Sequence, residues 1–217
     1  MKVLNLYAGI GGNRKLWTDV EVTAIENNES IAAIYQDFFP DDKVIVTDAH
    51  QYLLEHFKEF DFIWSSPPCP THSRLRFTAY SQDLCKAEYP DMKLYEEILL
   101  VQKYFKGIHI IENVISWYNP LIEPQQVGRH YYWCNFIISP IKEKSRLVNC
   151  SGADRSYSKQ EKDIGIYIKN FHNYKGSKVK LLNNCVQPEI GLHILECARG
   201  NYNYLKQDQI GVFDEHA

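Results

Sequence analysis

The sequence predicts an α/β chain built on a doubly wound, mostly parallel sheet. Two observations carry that expectation. Through the first 65 residues, short strand-like apolar runs take turns with helix-length amphipathic segments. Strands separated by such helices need crossover connections, and these are right-handed in nearly all sheets.

The elements follow in order. "KVLNLY" reads as a buried strand that runs into the glycine loop "AGIGGN", and "RKLWTD" as a short helical piece. "EVTAIE" is a second strand. "NNESIAAIYQDFF" has an Asn/Ser cap ahead of helical spacing at Ile31, Ile34, Tyr35 and Phe38. "DKVIVTD" is a third strand, "AHQYLLEHF" a helix and "FDFIWSS" a fourth strand. Residues 71 to 88 are polar and irregular; no element is expected there, and the length suits a functional lid. "PDMKLYEEILLVQKYF" predicts a helix with proline in its first turn, and "GIHIIENV" and "HYYWCNFIIS" predict two more strands. "PEIGLHILECARG" closes the chain as a helix that stops at Gly200. No internal repeat or linker interrupts the pattern. The expected organisation is a core over 1–138, a small basic insert over 139–182, and a segment over 183–217 that returns to the core.

Composition narrows the function. A chain of 217 residues with 45% hydrophobic and 24% charged residues is ordinary for a soluble globular protein. It has no run of about 18 apolar residues that would span a membrane. "MKVLNLYAGIGGN" is broken by glycines too early for a signal peptide, so a cytoplasmic location is expected. The six cysteines include no C-x-x-C pair, which leaves disulfide frameworks and metal sites as weak readings; no metal is expected. The net charge of −3 is unevenly spread. Residues 138–182 hold ten Lys/Arg against four Asp/Glu, whereas residues 1–137 hold 12 against 18. The basic insert is either a solvated loop or a patch that meets phosphates.

Doubly wound sheets bind ligands at the carboxyl ends of their strands. The loop from Tyr7 to Gly12 follows the first strand, Glu26 ends the second and Asp48 ends the third. A dinucleotide fingerprint would need a further glycine where this chain has Arg14, so a nicotinamide cofactor is disfavoured. Glu26 suits the two hydroxyls of a ribose, Asp48 an adenine amino group, and Tyr7 the face of a purine. An adenosine without a pyrophosphate fits this set, which means S-adenosylmethionine, with S-adenosylhomocysteine as product. The plainer readings are that Asp48 caps "AHQYLLEHF" and that Tyr7 belongs to the core.

The stretch "DFIWSSPPCPTHSRLR" places Cys69 at the mouth of a strand between prolines. Cys69 is a core thiol, half a disulfide, a metal ligand or a nucleophile held over a cleft. The order of motifs along the chain bears on that choice. "LNLYAGIGG", "AIENN", "VTDAH", "SSPPCP", "IIENV", "GRHYYWCNF" and "NNCVQPEIGLHIL" together resemble the cytosine-5 DNA methyltransferase family, in particular compact members of bacteria and their phages.

The resemblance implies a Rossmann-like methyltransferase fold and an enzyme that methylates carbon 5 of a flipped-out cytosine. It makes Cys69 the thiolate that adds to carbon 6, with a pKa expected to be lowered by Arg74, Arg76 or Arg129. Glu112 would hold or protonate ring nitrogen 3, and Asn113 would orient Glu112 and the local backbone. Arg129 would contact the cytosine carbonyl or the Cys69 loop; "QVGRH" carries one arginine where the family has two, and His130 follows it. For Glu112 and Arg129 the plainer readings are a helix-capping carboxylate and a surface ion pair.

The cofactor contacts it implies are Tyr7, Ala8, Gly9, Gly11 and Gly12 in the loop, and Glu26, Asn27, Asp48 and Ala49 at the next two strand ends. Pro67 joins them from the nucleophile loop, and Asn184 and Val186 from the closing segment, where Asn183 replaces the family's glycine. The implied partner is double-stranded DNA, touched by Ser73, Arg74 and Arg76 on the lid and by Lys142, Lys144 and Arg155 in the insert, the position of the family's target-recognition region. Lys162, Lys169, Tyr167 and Tyr174 lie in the same insert. An RNA substrate and a non-catalytic DNA-binding regulator are the alternatives. Monomer, dimer and partner subunit stay open.

Overall fold

The computed structural model describes residues 1–141 and 157–201. It contains one seven-stranded sheet in the order β3-β2-β1-β4-β5-β7-β6. The strands are β1 (Lys2–Leu6), β2 (Glu21–Glu26), β3 (Lys43–Val46), β4 (Phe62–Ser65), β5 (Ile108–Val114), β6 (Gln125–Val127) and β7 (His130–Cys134). The first five run parallel, and the β6–β7 hairpin adds an antiparallel pairing to the β5 edge. The expected doubly wound, mostly parallel α/β architecture is present.

Side-chain alternation fills both faces of the sheet. Val3, Phe62, Trp64 and Ile110 point to one side, where they pack with Trp17, Ile194 and Leu195. Leu4, Leu6, Ile63 and Ile111 point to the other, against Leu53, Ile98 and Val101. The helices supply those covers. They are α1 (Glu29–Phe38), α2 (Ala49–His56), α3 (Arg74–Ser81), α4 (Lys93–Tyr104), α5 (Tyr157–Ile164), α6 (Lys178–Asn183) and α7 (Pro188–Ala198). Asn28 caps α1, its side chain accepting from the Ile31 amide at 3.1 Å. α7 starts on Pro188, and Gly200 at φ 74° follows its last turn, the usual asymmetry of helix ends.

Four expectations are corrected. "RKLWTD" forms hydrogen-bonded turns rather than a helix, because Trp17 is pulled into the core, where its Nε1 donates to the Gly191 carbonyl at 2.9 Å. Pro90 precedes α4 instead of opening it, since the helix begins at Lys93. The stretch expected to be irregular contains α3, capped by Ser73; no residue of α3 is buried, so apolar periodicity carried no signal for it. The insert, whose sequence shows no strong periodicity, nevertheless contributes α5 and α6, and Ile164, Ile166, Ile168, Leu181 and Leu182 form a cluster with Ile10 and Ile34. Among the described residues, Cys69, Cys85, Cys134, Cys185 and Cys197 are free thiols, and no helix is long and apolar enough to cross a membrane.

Candidate active site

The parallel register brings the strand ends onto one line. Leu6 pairs with Ile25 and Ser65, Ile25 with Ile45, and Ser65 with Ile111. The residues one step further, Tyr7, Glu26, Val46, Ser66 and Glu112, therefore form a rim along the carboxyl edge.

The glycine loop leaves β1 in a left-handed conformation. Tyr7, Gly9 and Gly11 have φ of 55°, 55° and 79°. For Tyr7 that conformation costs roughly 1–2 kcal/mol. It is held by a 2.6 Å hydrogen bond from its hydroxyl to Glu97. Burial, then the charge of Glu97, pushes the Tyr7 phenol well above its ordinary range. Gly9 faces open space, with nothing within 4 Å of where a Cβ would sit. Its amide donates to Glu26 Oε2 at 3.1 Å, and the Asn28 amide donates to Glu26 Oε1 at 3.0 Å. Glu26 thus ties the first loop to the second. Burial raises its carboxyl pKa, opposed by the amides of Asn28, Gly9 and Asn27.

Asp48 is the N-cap of α2, accepting from the Gln51 amide at 2.8 Å, so the plainer reading of this residue is realised. It also lines an open cleft of about 90 Å³ with Tyr7, Asn27, Pro67, Pro68, His72, Asp91, Lys93 and Leu94. Ala8 and Ala49 are buried just behind the rim. Cys185 and Val186 lie against the glycine loop: a Cβ on Gly12 would stand 2.5 Å from the Val186 carbonyl oxygen and 2.8 Å from Cys185 Cβ. Asn184 caps the end of α6 and is exposed. Tyr7, Gly9, Glu26, Asn27, Asp48 and Pro67 are therefore gathered at one rim, and Gly12 and Val186 close one flank of the loop.

The chain continues from β4 through Ser66, Pro67 and Pro68 to Cys69. Asn113, 2% exposed, donates from Nδ2 to the Pro67 carbonyl at 3.0 Å and accepts the Val114 amide on Oδ1 at 2.9 Å. The end of β5 thereby fixes the turn that delivers Cys69. Burial, then the charge of Glu112, pushes the Cys69 thiol up rather than down. The guanidinium groups expected to lower it are engaged or directed elsewhere. Arg74 donates to the Ser116 carbonyl at 3.3 Å, Arg76 pairs with Glu88, and Arg129 is exposed in the turn between β6 and β7.

Glu112 is buried, opposite Tyr132 in the β5–β7 register. His130, two residues before Tyr132 and so on the same face of β7, brings Nε2 to 3.6 Å from Glu112 Oε1. Strand alternation thus gives Glu112 a histidine neighbour, while Arg129 stays in the turn ahead of β7.

The lid docks on the loop after β5. Ser73 bridges to Ser116, and Trp117 donates from Nε1 to the Thr71 carbonyl at 3.0 Å. Phe77 stacks on Trp117 with ring centroids 5.2 Å apart. Lys142, Lys144 and Arg155 lie outside the described residues. Lys162, Lys169, Lys175 and Lys180 are exposed on the described part of the insert.

Two residues at the site were missed from the sequence. His72 is 1% exposed and lines the cleft; its Nδ1 lies 2.6 Å from the Tyr118 hydroxyl, its Nε2 has no hydrogen-bond partner, and burial pushes its pKa down. No pattern in "PPCPTHSR" distinguishes it. Glu97 is fully buried on α4, and here a signal existed: Leu94, Glu97, Ile98 and Val101 share helical spacing, with one carboxylate in an apolar stripe.

Comparison with known proteins identifies the family of the chain. The family model described as C-5 cytosine-specific DNA methylase matches residues 1–116, the span that holds Tyr7, Glu26, Cys69 and Glu112. No curated protein matches the chain in sequence. Among solved structures, the methyltransferase EhMeth of Entamoeba histolytica is similar in fold at a TM-score of 0.54 and 13% identity, covering 93% of this chain and 98% of its own. A mutant of DNMT2 from Spodoptera frugiperda aligns at a TM-score of 0.43 and 18% identity, over 75% of this chain and 59% of its own. Because the family model spans more than half of the sequence and includes the Pro-Cys and Glu-Asn-Val segments, the chain belongs to the C-5 cytosine-specific DNA methylase family.

Proposed function

We propose that the protein is a DNA cytosine-5 methyltransferase that takes its methyl group from S-adenosylmethionine. The observation that carries this reading is the tie between adjacent strand ends. Asn113 holds the Pro67 carbonyl, so Cys69 and Glu112 are carried by one hydrogen-bonded unit beside a cleft with an adenosine-compatible rim.

The residues present fit the cofactor. Glu26 stands at the end of β2 where a ribose would lie, Gly9 opens onto empty space beside it, and Tyr7, Asn27, Asp48 and Pro67 line the adjoining cleft. When bound, S-adenosylmethionine supplies an electrophilic methyl group on a sulfonium. This chain's residues do the rest. Cys69, as thiolate, adds to carbon 6 of cytosine and makes carbon 5 nucleophilic. Glu112 holds or protonates nitrogen 3 as electron density moves into the ring. With carbon 5 methylated, loss of its proton to water as base expels Cys69 by elimination. Because the resting thiol is raised by burial and by Glu112, the thiolate forms once the base is seated and Glu112 is engaged with it.

A cytosine inside a duplex has to leave the stack first, at a cost of a few kcal/mol, roughly the unstacking energy. The lid carrying Ser73, Arg74 and Arg76 stands next to Cys69 for that step, with Arg74 exposed. Arg129, exposed beyond β6, is available to the cytosine carbonyl. The exposed lysines of the insert, with Lys142, Lys144 and Arg155, supply phosphate contacts.

The test uses duplexes carrying 5-fluorocytosine in varied contexts together with a radiolabelled methyl donor. A covalent adduct through Cys69 is expected, lost in Cys69→Ser while S-adenosylhomocysteine binding persists. An adduct on RNA and on no DNA would move the substrate to RNA. No adduct on either, with the cofactor still bound, would favour a non-catalytic DNA-binding regulator.

A further inference from the structure

Glu97 is not among the residues that the proposed chemistry uses, yet it is the hub of the rim. It projects from α4 into the sheet and is fully buried. Its Oε1 accepts from the Tyr7 hydroxyl at 2.6 Å and lies 3.1 Å from His50 Nδ1; its Oε2 accepts from the Ser65 hydroxyl at 2.7 Å.

The three partners belong to three different elements. Tyr7 is the first residue after β1 and starts the glycine loop. His50 lies in the first turn of α2, two residues from Asp48. Ser65 is the last residue of β4, four residues before Cys69. A carboxylate buried this deeply is tolerable only when its oxygens are satisfied, so the three donors and Glu97 require one another. Two features show that the bonds do more than neutralise a buried group. Tyr7 is held at a positive φ that a non-glycine residue avoids, and the hydroxyl bond to Glu97 is what anchors its ring there. His50 closes the cluster from outside: its Nε2 lies 3.3 Å from Glu96 on the same helix, and its hydrogen bond to Glu97 raises its pKa.

We propose that Glu97 is a positioning residue that locks the cofactor loop at Tyr7 to the nucleophile strand at Ser65, so that one carboxylate sets the geometry of both halves of the active site. This rests on the methyltransferase reading of the site. It follows that deleting a single hydroxyl on one half disturbs the other half through Glu97. Local packing would not produce that effect.

The experiment measures S-adenosylhomocysteine binding by calorimetry, alongside thermal melting, for the full chain, four single variants and one double variant. Tyr7→Phe and Ser65→Ala each delete one hydroxyl and keep the fold-bearing atoms. Each is expected to weaken binding by about five- to tenfold, the size of one lost buried hydrogen bond. For Ser65→Ala this is the telling result, because Ser65 lies on the nucleophile strand. Glu97→Ala should weaken binding further. Glu97→Gln, which keeps one acceptor oxygen, should recover part of the loss. The double variant Tyr7→Phe/Glu97→Gln should bind no more weakly than the worse of its parents, as groups acting through one another do. The lock is overturned if Tyr7→Phe and Ser65→Ala fold and bind within about twofold of the parent. Those two variants decide the matter even where Glu97→Ala fails to fold. A parent chain that binds no S-adenosylhomocysteine would overturn the methyltransferase reading and the lock with it.

Discussion

Asn113→Ala is the sharpest probe of how the turn that carries Cys69, the proposed nucleophile, is held. The substitution removes the Nδ2 donor that meets the Pro67 carbonyl at 3.0 Å and the Oδ1 acceptor that meets the Val114 amide at 2.9 Å. The residue is 2% exposed, so water does not replace the lost partners without rearrangement. One buried carbonyl left unsatisfied costs about 2 kcal/mol. For a chain of this size that lowers the melting temperature by roughly 4–8 °C. The second effect is local: Pro67 leads directly to Cys69, so the turn that presents the thiol loosens. Trapping on 5-fluorocytosine DNA should slow by about tenfold or more, as displacement of a reacting group by an ångström does. S-adenosylhomocysteine affinity should change less. Asn113→Asp keeps the shape and turns an oxygen toward the Pro67 carbonyl, so it should be at least as damaging at neutral pH. Thermal melting and single-turnover trapping measured on the same preparations check both effects. An Asn113→Ala protein that melts within 1 °C or so of the parent and traps at the parental rate would refute the reasoning, because the Pro67 carbonyl would then have no need of Asn113.

Three further outcomes are expected. Gly12→Ala puts a methyl group 2.5 Å from the Val186 carbonyl, which must move; at about 1–3 kcal/mol of overpacking, calorimetry should show weaker S-adenosylhomocysteine binding, and unchanged affinity would mean the closing segment yields freely. Alkylation of Cys69 followed by peptide mapping should titrate above the ordinary thiol range, since burial and then Glu112 raise it, and Glu112→Gln should bring the midpoint down; a midpoint below the ordinary range in the parent would contradict this. His109, 3% exposed, has its pKa lowered by burial from 6.5 to about 4. The unfolded chain therefore takes up that proton first. The stability due to a neutral His109 is complete above 6.5 and is lost as pH falls from there toward 4. Denaturant melts across that window should show the decline, and His109→Phe should flatten it.

Much of the molecule was legible in its sequence because the signals are local. Strand and helix periods located β1 to β5, α1, α2, α4 and α7, and the motif order carried the family. The rim positions of Tyr7, Glu26 and Asp48 followed from their places at strand ends, since a parallel sheet aligns those ends whatever the loops do. α3 escaped notice because it buries nothing, and β6 because three residues show no period. The expected lowering of the Cys69 pKa failed for a different reason. Arginine is plentiful near it in sequence, but in space burial and then the charge of Glu112 raise it.

The amino-acid sequence by itself determined the doubly wound sheet, the two loops that carry Tyr7 and Cys69, and the Glu-Asn-Val strand end, because each is written in contiguous residues. Only the tertiary structure decided which side chains meet. Strand register turned His130 toward Glu112. The approach of β5 to β4 gave the Pro67 carbonyl to Asn113. The packing of α4 on the sheet made Glu97 the shared acceptor of Tyr7 and Ser65. Those pairings join residues 46, 90 and 32 positions apart, and at such separations proximity is set by the sheet and its helices, not by anything local to either residue.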